Sequence, residues 1–372
     1  MIKIFYFIIF IFVSLYGSEY DSSEYATYFF THKKEKKVIG KQYANYINLY
    51  QKSDINYTKE ILKYWDEPQQ TSDYELILYK NNYKAKVIID YKKSQLRFEI
   101  GTSDQQEAVD IITDLLKQLY KIDIATLYRE NLISIKVADS LNKIRDELKN
   151  NHPLLSDVLS ESDLALLIEE VSSSTIKLTQ YIKKDIYGCI LQLPININQK
   201  KYDLYYKNHI NKLQKKLNLP KYLLESILKV SSNSNVFAFE FKPLKFGLMD
   251  IKPYDIGFKA YYKTYGYYKF LVDSDFYNPY FNIQLGAYYL NYLYNDKFKD
   301  IKEKNSRIYC TIVSYYGNIQ VLFDILESIE NINKLHDFYI YRLLLSKISD
   351  NMLQYKVFKT IELINNKGNS KE

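Results

Sequence analysis

The sequence is poor in the residues that build metal and redox centres. Its 372 residues include two cysteines, four histidines, three methionines and one tryptophan. No histidine stands with cysteines or carboxylates at ligand spacing, so no metal and no cofactor is expected. Cys189 and Cys310 are distant in sequence and fall in different expected elements. Two buried thiols are the default reading, and a disulfide formed in an oxidising compartment is the alternative. Glycine (10) and proline (7) are scarce, while 47% of residues are hydrophobic and 26% charged. That balance describes a globular chain and not a disordered one. Charge of one sign is also in short supply: the formal net charge of +7 is modest for the length. The basic residues are scattered and form no stripe, so nucleic acid is not an expected partner. No internal repeat is visible. What is abundant is tyrosine (40) and phenylalanine (19). Isoleucine, lysine, asparagine and tyrosine dominate together, the usage of A+T-rich coding, and much of the tyrosine excess needs no functional explanation.

The one long apolar run is at the start. Lys3 is followed by an almost wholly apolar stretch from Ile4 to Tyr16. The run falls short of the ~20 residues that span a bilayer, and it reads as a secretory signal over residues 1–17. An uncleaved segment that associates with the membrane is the alternative. No cysteine lies nearby, so a lipoprotein anchor is not supported.

The spacing that follows predicts an α+β chain. One or two helices run from Val38 to Trp65, broken near Ser53-Asp54. Strands are expected at Tyr74 to Tyr79, Lys84 to Tyr91 and Gln95 to Ile100. In the third, Leu96, Phe98 and Ile100 alternate with Arg97 and Glu99, so one face is buried. Ser103 and Gln106 read as a capping box opening an amphipathic helix with Val109, Ile112, Leu115, Leu116 and Leu119 on its apolar face. Residues from Ile122 to Ser162 read as helical and charged, Ile186 to Leu193 as a strand, and Tyr202 to Leu217 as a Lys-rich amphipathic helix.

The stretch from Leu219 to Asp250 organises the rest. Pro220 suits a first helical turn, and Tyr222, Leu223, Ser226, Ile227 and Val230 recur at helical spacing. A polar run from Ser231 to Asn235 ends the pattern, and Gly247-Leu248-Met249-Asp250 follows. Helix, polar loop and Gly-Leu-Met together resemble the catalytic domain of lytic transglycosylases, the goose-lysozyme-like enzymes that cut peptidoglycan glycan strands. Two later blocks fit the same family. Asn278-Pro279-Tyr280-Phe281-Asn282-Ile283 leads to Gly286 and Tyr289-Leu290. Val313-Ser314-Tyr315-Tyr316-Gly317-Asn318 resembles its Thr-Ala-Tyr-Asn-Gly-Gly. The first part of the chain resembles the amino-terminal domain of the membrane-bound lytic murein transglycosylase C family, on Trp65, Leu78 to Tyr83 and Val87 to Tyr91 in order. The organisation implied is a signal at 1–17, a helix–antiparallel-sheet domain at 38–195, an α-helical lysozyme-like domain at 202–329, and carboxy-terminal helices with a charged tail at 330–372.

The resemblance implies peptidoglycan strands as the partner and the periplasm or cell envelope as the location, and the positive charge permits attraction to anionic cell-wall peptides. It also exposes a departure. Glycosidic cleavage needs a proton donor for the leaving oxygen, usually a carboxyl group with a raised pKa in an apolar cleft. The family uses one Glu, and Ser231 stands at that position. A serine hydroxyl is far too weak an acid to replace it. Tyr316 stands in place of the Asn, Asn318 in place of the second Gly, and Asp250 in place of a Gln. Ser232, Gly247, Leu248, Met249, Asp250, Tyr315 and Tyr316 are the positions expected to line the substrate cleft. Three readings stay open: a family relative that binds wall without cutting it; an active enzyme with a relocated carboxylate, Glu240 ahead of Asp250; and an envelope structural protein whose cleft is blocked, with Tyr316 the blocking residue. The ring cluster of Tyr261, Tyr262, Tyr265, Tyr267 and Tyr268 suits either sugar stacking or a packed helix–loop junction.

Overall fold

A computed structural model describes residues 34–141, 148, 152–173, 177–180, 185–241, 243–327 and 329–369. The expected signal at 1–17 lies outside them. No helix among the described residues is long and apolar enough to cross a membrane.

Helix α1 (Lys34–Ile61) leads into a hairpin of β1 (Glu75–Lys80) and β2 (Ala85–Asp90), then β3 (Gln95–Gly101). The sheet has five antiparallel strands in the order β1-β2-β3-β5-β4, completed by β4 (Lys177–Gln180) and β5 (Asp185–Gln192). β3 alternates as expected, with Leu96, Phe98 and Ile100 fully buried. Between β3 and β5 lie α2 (Gln105–Lys121), α3 (Ile124–Arg129), α4 (Leu132–Ser140) and α5 (Glu161–Ser173). The Ile122-to-Ser162 reading is thus corrected to two short helices followed by turns at 153–159.

Three local expectations are also corrected. α1 is one helix: Ser53 and Asp54 are buried on its inner face, and Gln70 Nε2 donates to Asp54 Oδ1 at 2.5 Å, so the buried carboxylate finds a partner without a break. α2 is capped by Asp104, whose carboxylate accepts from the Gln106 and Glu107 amides, and not by Ser103. The helix after Pro220 begins at Leu223, because Tyr222 takes a left-handed conformation (φ 68°) that helical backbone does not allow.

The second half is helical: α6 (Ile197–Lys201), a π-helical turn at Tyr202–Tyr206, α7 (Lys207–Lys216), α8 (Leu223–Ser231), a small hairpin of β6 (Phe239–Phe241) and β7 (Leu244–Phe246), α9 (Phe258–Tyr265), α10 (Asp273–Tyr277), α11 (Pro279–Asn291), α12 (Lys304–Tyr316), α13 (Ile319–Leu326), α14 (Asp337–Lys347) and α15 (Asn351–Asn369). Buried side chains of the sheet, its helices and the helical half form one continuous apolar cluster. Cys189 on β5 and Cys310 in α12 are separate thiols, both buried.

Candidate functional site

The site is built where α8 ends. α8 buries nearly its whole length, and its last residue, Ser231, has no exposed surface. Its Oγ makes no hydrogen bond of ordinary geometry among the described residues, although it lies near enough to the Tyr316 phenol to weigh on its ionisation. Ser232 Oγ donates to the Leu248 carbonyl at 3.0 Å and so fixes the helix end to the Gly-Leu-Met turn.

Asn282 holds that turn from below. Its Oδ1 accepts from the Met249 amide at 2.8 Å, and its Nδ2 donates to the Phe246 and Phe276 carbonyls at 3.0 and 2.8 Å. Gly247 is obligatory here. Its φ is +70°, and an added Cβ would stand 2.5 Å from Asn282 Nδ2 and 2.6 Å from the Phe276 oxygen. Met249 is fully buried over Gly286, where an added Cβ would meet its side chain at 2.7 Å. Leu248 is fully buried too. Tyr315, expected at the cleft wall, is 1% exposed and donates to the Met249 carbonyl at 2.6 Å. Asn282 is visible in the sequence only as part of the Asn278–Ile283 motif, with no role of its own. Its signal was its place at the start of a helix facing the Gly-Leu-Met turn, which only the fold brings together.

The space over Ser231 is filled from two directions. Tyr316 is buried, and its hydroxyl lies 3.1 Å from Thr360 Oγ1 of α15 and 3.4 Å from the Ile227 carbonyl it donates to. Burial pushes the phenol well above the ordinary tyrosine value, with the Thr360 hydroxyl pulling the other way. From the sheet side, Tyr74 donates to the Val230 carbonyl at 2.6 Å, and Asn235 Nδ2 donates to the Ser72 carbonyl at 3.1 Å. Asp250 does not line open space. It pairs at 2.5 Å with Lys356 of α15, which also reaches Asp73 at 2.8 Å. Two small pockets, of about 130 and 110 Å³, lie elsewhere. One is bordered by Asn196, Lys229 and Asn233, the other by Tyr79, Asn131 and Phe239, and Ser231 lines neither.

Glu240 sits on β6 and is held by Lys245 across the hairpin at 2.7 Å, its side chain about one-third exposed. It is near enough to Asp73 to raise that carboxyl's pKa, and it is paired with Lys245 and partly open to solvent. In the ring cluster, Tyr262 stacks on Tyr268 at 4.2 Å and Tyr261 packs on Tyr265 at 4.5 Å. The rings pack on one another, as a helix–loop junction requires.

Residues 208–325 match the family model described as Transglycosylase SLT domain. That stretch is similar to a transglycosylase SLT domain. The matched residues take in α8, the Gly-Leu-Met turn, α11 and α12 together, the elements that carry the site just described. A 106-residue stretch is 37% identical to membrane-bound lytic murein transglycosylase E of Buchnera aphidicola subsp. Baizongia pistaciae, covering 28% of this chain and 49% of that protein. The chain thus spans about half the length of that relative. A lytic transglycosylase Slt of Pseudomonas aeruginosa, solved as an inactive mutant, is 16% identical, with a TM-score of 0.36 over 48% of this chain and 28% of that one.

Proposed function

We propose that this protein is a cell-envelope relative of the lytic transglycosylases that keeps peptidoglycan as its partner but does not cut it, any contact with glycan lying outside the sealed position at Ser231. The observation that carries the reading is the complete burial of Ser231 beneath Tyr316 and α15. A general acid must touch the bond it protonates, and position 231 touches neither solvent nor a groove. Loss of the carboxyl group and loss of the space beside it support each other: a cleft with no chemistry to perform gains stability by closing. Gly247, Asn282 and Tyr315 hold backbone in place, and that work is independent of catalysis.

Sacculi supply the test. Purified protein incubated with them should release no anhydro-muropeptides detectable by mass spectrometry, and it should sediment with them. Release of such products would overturn the reading. Absence of sedimentation would remove the glycan partner and leave a structural envelope protein. Ser231→Glu should restore no cleavage and should lower stability, since it would place a carboxylate in a site with no exposed surface.

A further inference from the structure

Three distant parts of the chain meet at one buried ammonium. Lys356, on the second turn of α15, is 2% exposed. Its Nζ lies 2.5 Å from Asp250 Oδ2, just after the Gly-Leu-Met turn, and 2.8 Å from Asp73 Oδ2, just before β1. The side chains of all three are 3, 6 and 15% exposed, for Lys356, Asp250 and Asp73 in turn. One cation therefore faces two carboxylates in a nearly dry site, and the cluster carries an unbalanced negative charge whenever both acids are ionised. It lies over the sealed position: the ammonium is 5.9 Å from the Tyr316 ring centre, and Thr360, one turn further along α15, meets the Tyr316 hydroxyl. A second clasp fastens the far end of the helix, where Lys367 pairs with Glu225 of α8.

We propose that α15 is a lid over the former cleft, fastened by the Asp73–Lys356–Asp250 clasp, and that the clasp loosens as pH rises through neutrality. The physical reason is charge stoichiometry. With one of the two acids protonated, the site holds a neutral ion pair and an un-ionised carboxyl that satisfies its neighbours. With both ionised, the excess charge is buried among apolar neighbours, and separating α15 from the segment at 72–74 relieves it. Burial, then Asp250, raise the Asp73 carboxyl to about 7, against the pull of Lys356. Burial works against the ammonium of Lys356, and the two carboxylates more than offset it, so the lysine stays charged across this range. The other groups facing the clasp do not reverse the sign. Glu240 adds further negative charge and is itself paired to Lys245. Tyr74, Tyr315 and Tyr316 are all pushed above the ordinary tyrosine range by burial, and the Tyr355 ring lies near Tyr74.

A carboxyl whose folded value lies above its unfolded value binds more protons when folded, so the closed form loses stability as pH rises between the two. From pH 6 to 8, with a closed value near 7, the open fraction of the lid grows about tenfold. Amide hydrogen exchange on the full chain, corrected for the intrinsic effect of pH, reads this directly. The helix at 351–369 should open about tenfold more at pH 8 than at pH 6. The α2 amides at 105–121, remote from the clasp, should not change. Asp73→Asn should abolish the difference and leave the lid closed at both values, and Asp250→Asn should act the same way should the first variant fold poorly. A wild-type lid indifferent to pH overturns the proposal. So does a pH response that survives in both variants, or one shared equally by the α2 amides. None of these readouts involves glycan, so the lid and the glycan-binding reading stand or fall separately.

Discussion

Two lysines of this protein are buried to the same degree, and they are treated in opposite ways. Lys201, where α6 ends, is 3% exposed. It faces one carboxylate, Asp157, at 3.0 Å, and also donates to the Pro153 carbonyl at 3.0 Å. Tyr205 donates to the same carboxylate at 2.6 Å. Charge is balanced and the donors are matched, yet burial still lowers the lysine's pKa, with Asp157 opposing. Lys356 is equally enclosed but faces two carboxylates, and its pKa is held well above the ordinary value. A one-to-one pair is a structural rivet. A one-to-two cluster stores a charge that pH can remove. The first joins a turn to a neighbouring helix; the second joins three segments beside the Tyr316 ring.

The largest expected effect comes from breaking the unbalanced cluster. Lys356→Met leaves two carboxylates face to face without a cation. It should cost about 5 kcal/mol in urea denaturation at pH 8, the upper end for an uncompensated buried charge, and clearly less at pH 5.5, where protonation relieves the pair. Lys201→Met should cost about 3 kcal/mol near neutrality, because Tyr205 still satisfies Asp157 in part. An equal cost and an equal pH response in the two variants would erase the contrast. Asp73→Asn should sharpen it. Wild-type stability should fall by about 1.4 kcal/mol between pH 6 and 8, one pKa unit's worth, and the variant should lack that component of the slope. The smallest change is Tyr316→Phe. It removes the contact to Thr360 while keeping the ring that covers Ser231, and should cost about 1 kcal/mol with no gain of activity on sacculi. A larger loss, or appearance of cleavage, would mean that the phenol does more than close the seal.

Local patterns were legible wherever a single element decides its own shape. β3 announced itself by alternation, and α2 by its apolar face. The π-turn ahead of α7 did not, because its side-chain spacing differs little from that of an α-helix. Ends were read less well than middles. Ser103 and Asp104 are both capping residues, and which one caps depends on where the chain leaves β3. Pro220 suits a helix start, but the left-handed Tyr222 postpones it by one turn. Ser53-Asp54 resembles a break in α1 because polar residues on an inner face look like one until Gln70, sixteen residues after Asp54, comes back to meet the Asp54 carboxylate.

At the site, the absence of a carboxyl at position 231 is fixed by the residue type, and no fold can supply acidity to a serine hydroxyl. The glycine at 247 is legible only in part: its left-handed turn asks for one locally, while the close approach of Asn282 and Phe276 comes from the fold. The fate of the cleft is another matter. Tyr74 and Asp73 lie more than 150 residues before Ser231 and Asp250, and Lys356 and Thr360 more than 100 after them. Packing of those remote segments turned an expected cleft wall into interior and gave Asp250 a partner that sequence spacing does not reveal. Burial and charge balance are properties of what surrounds a group, and distant chain segments become surroundings only when the whole molecule is assembled.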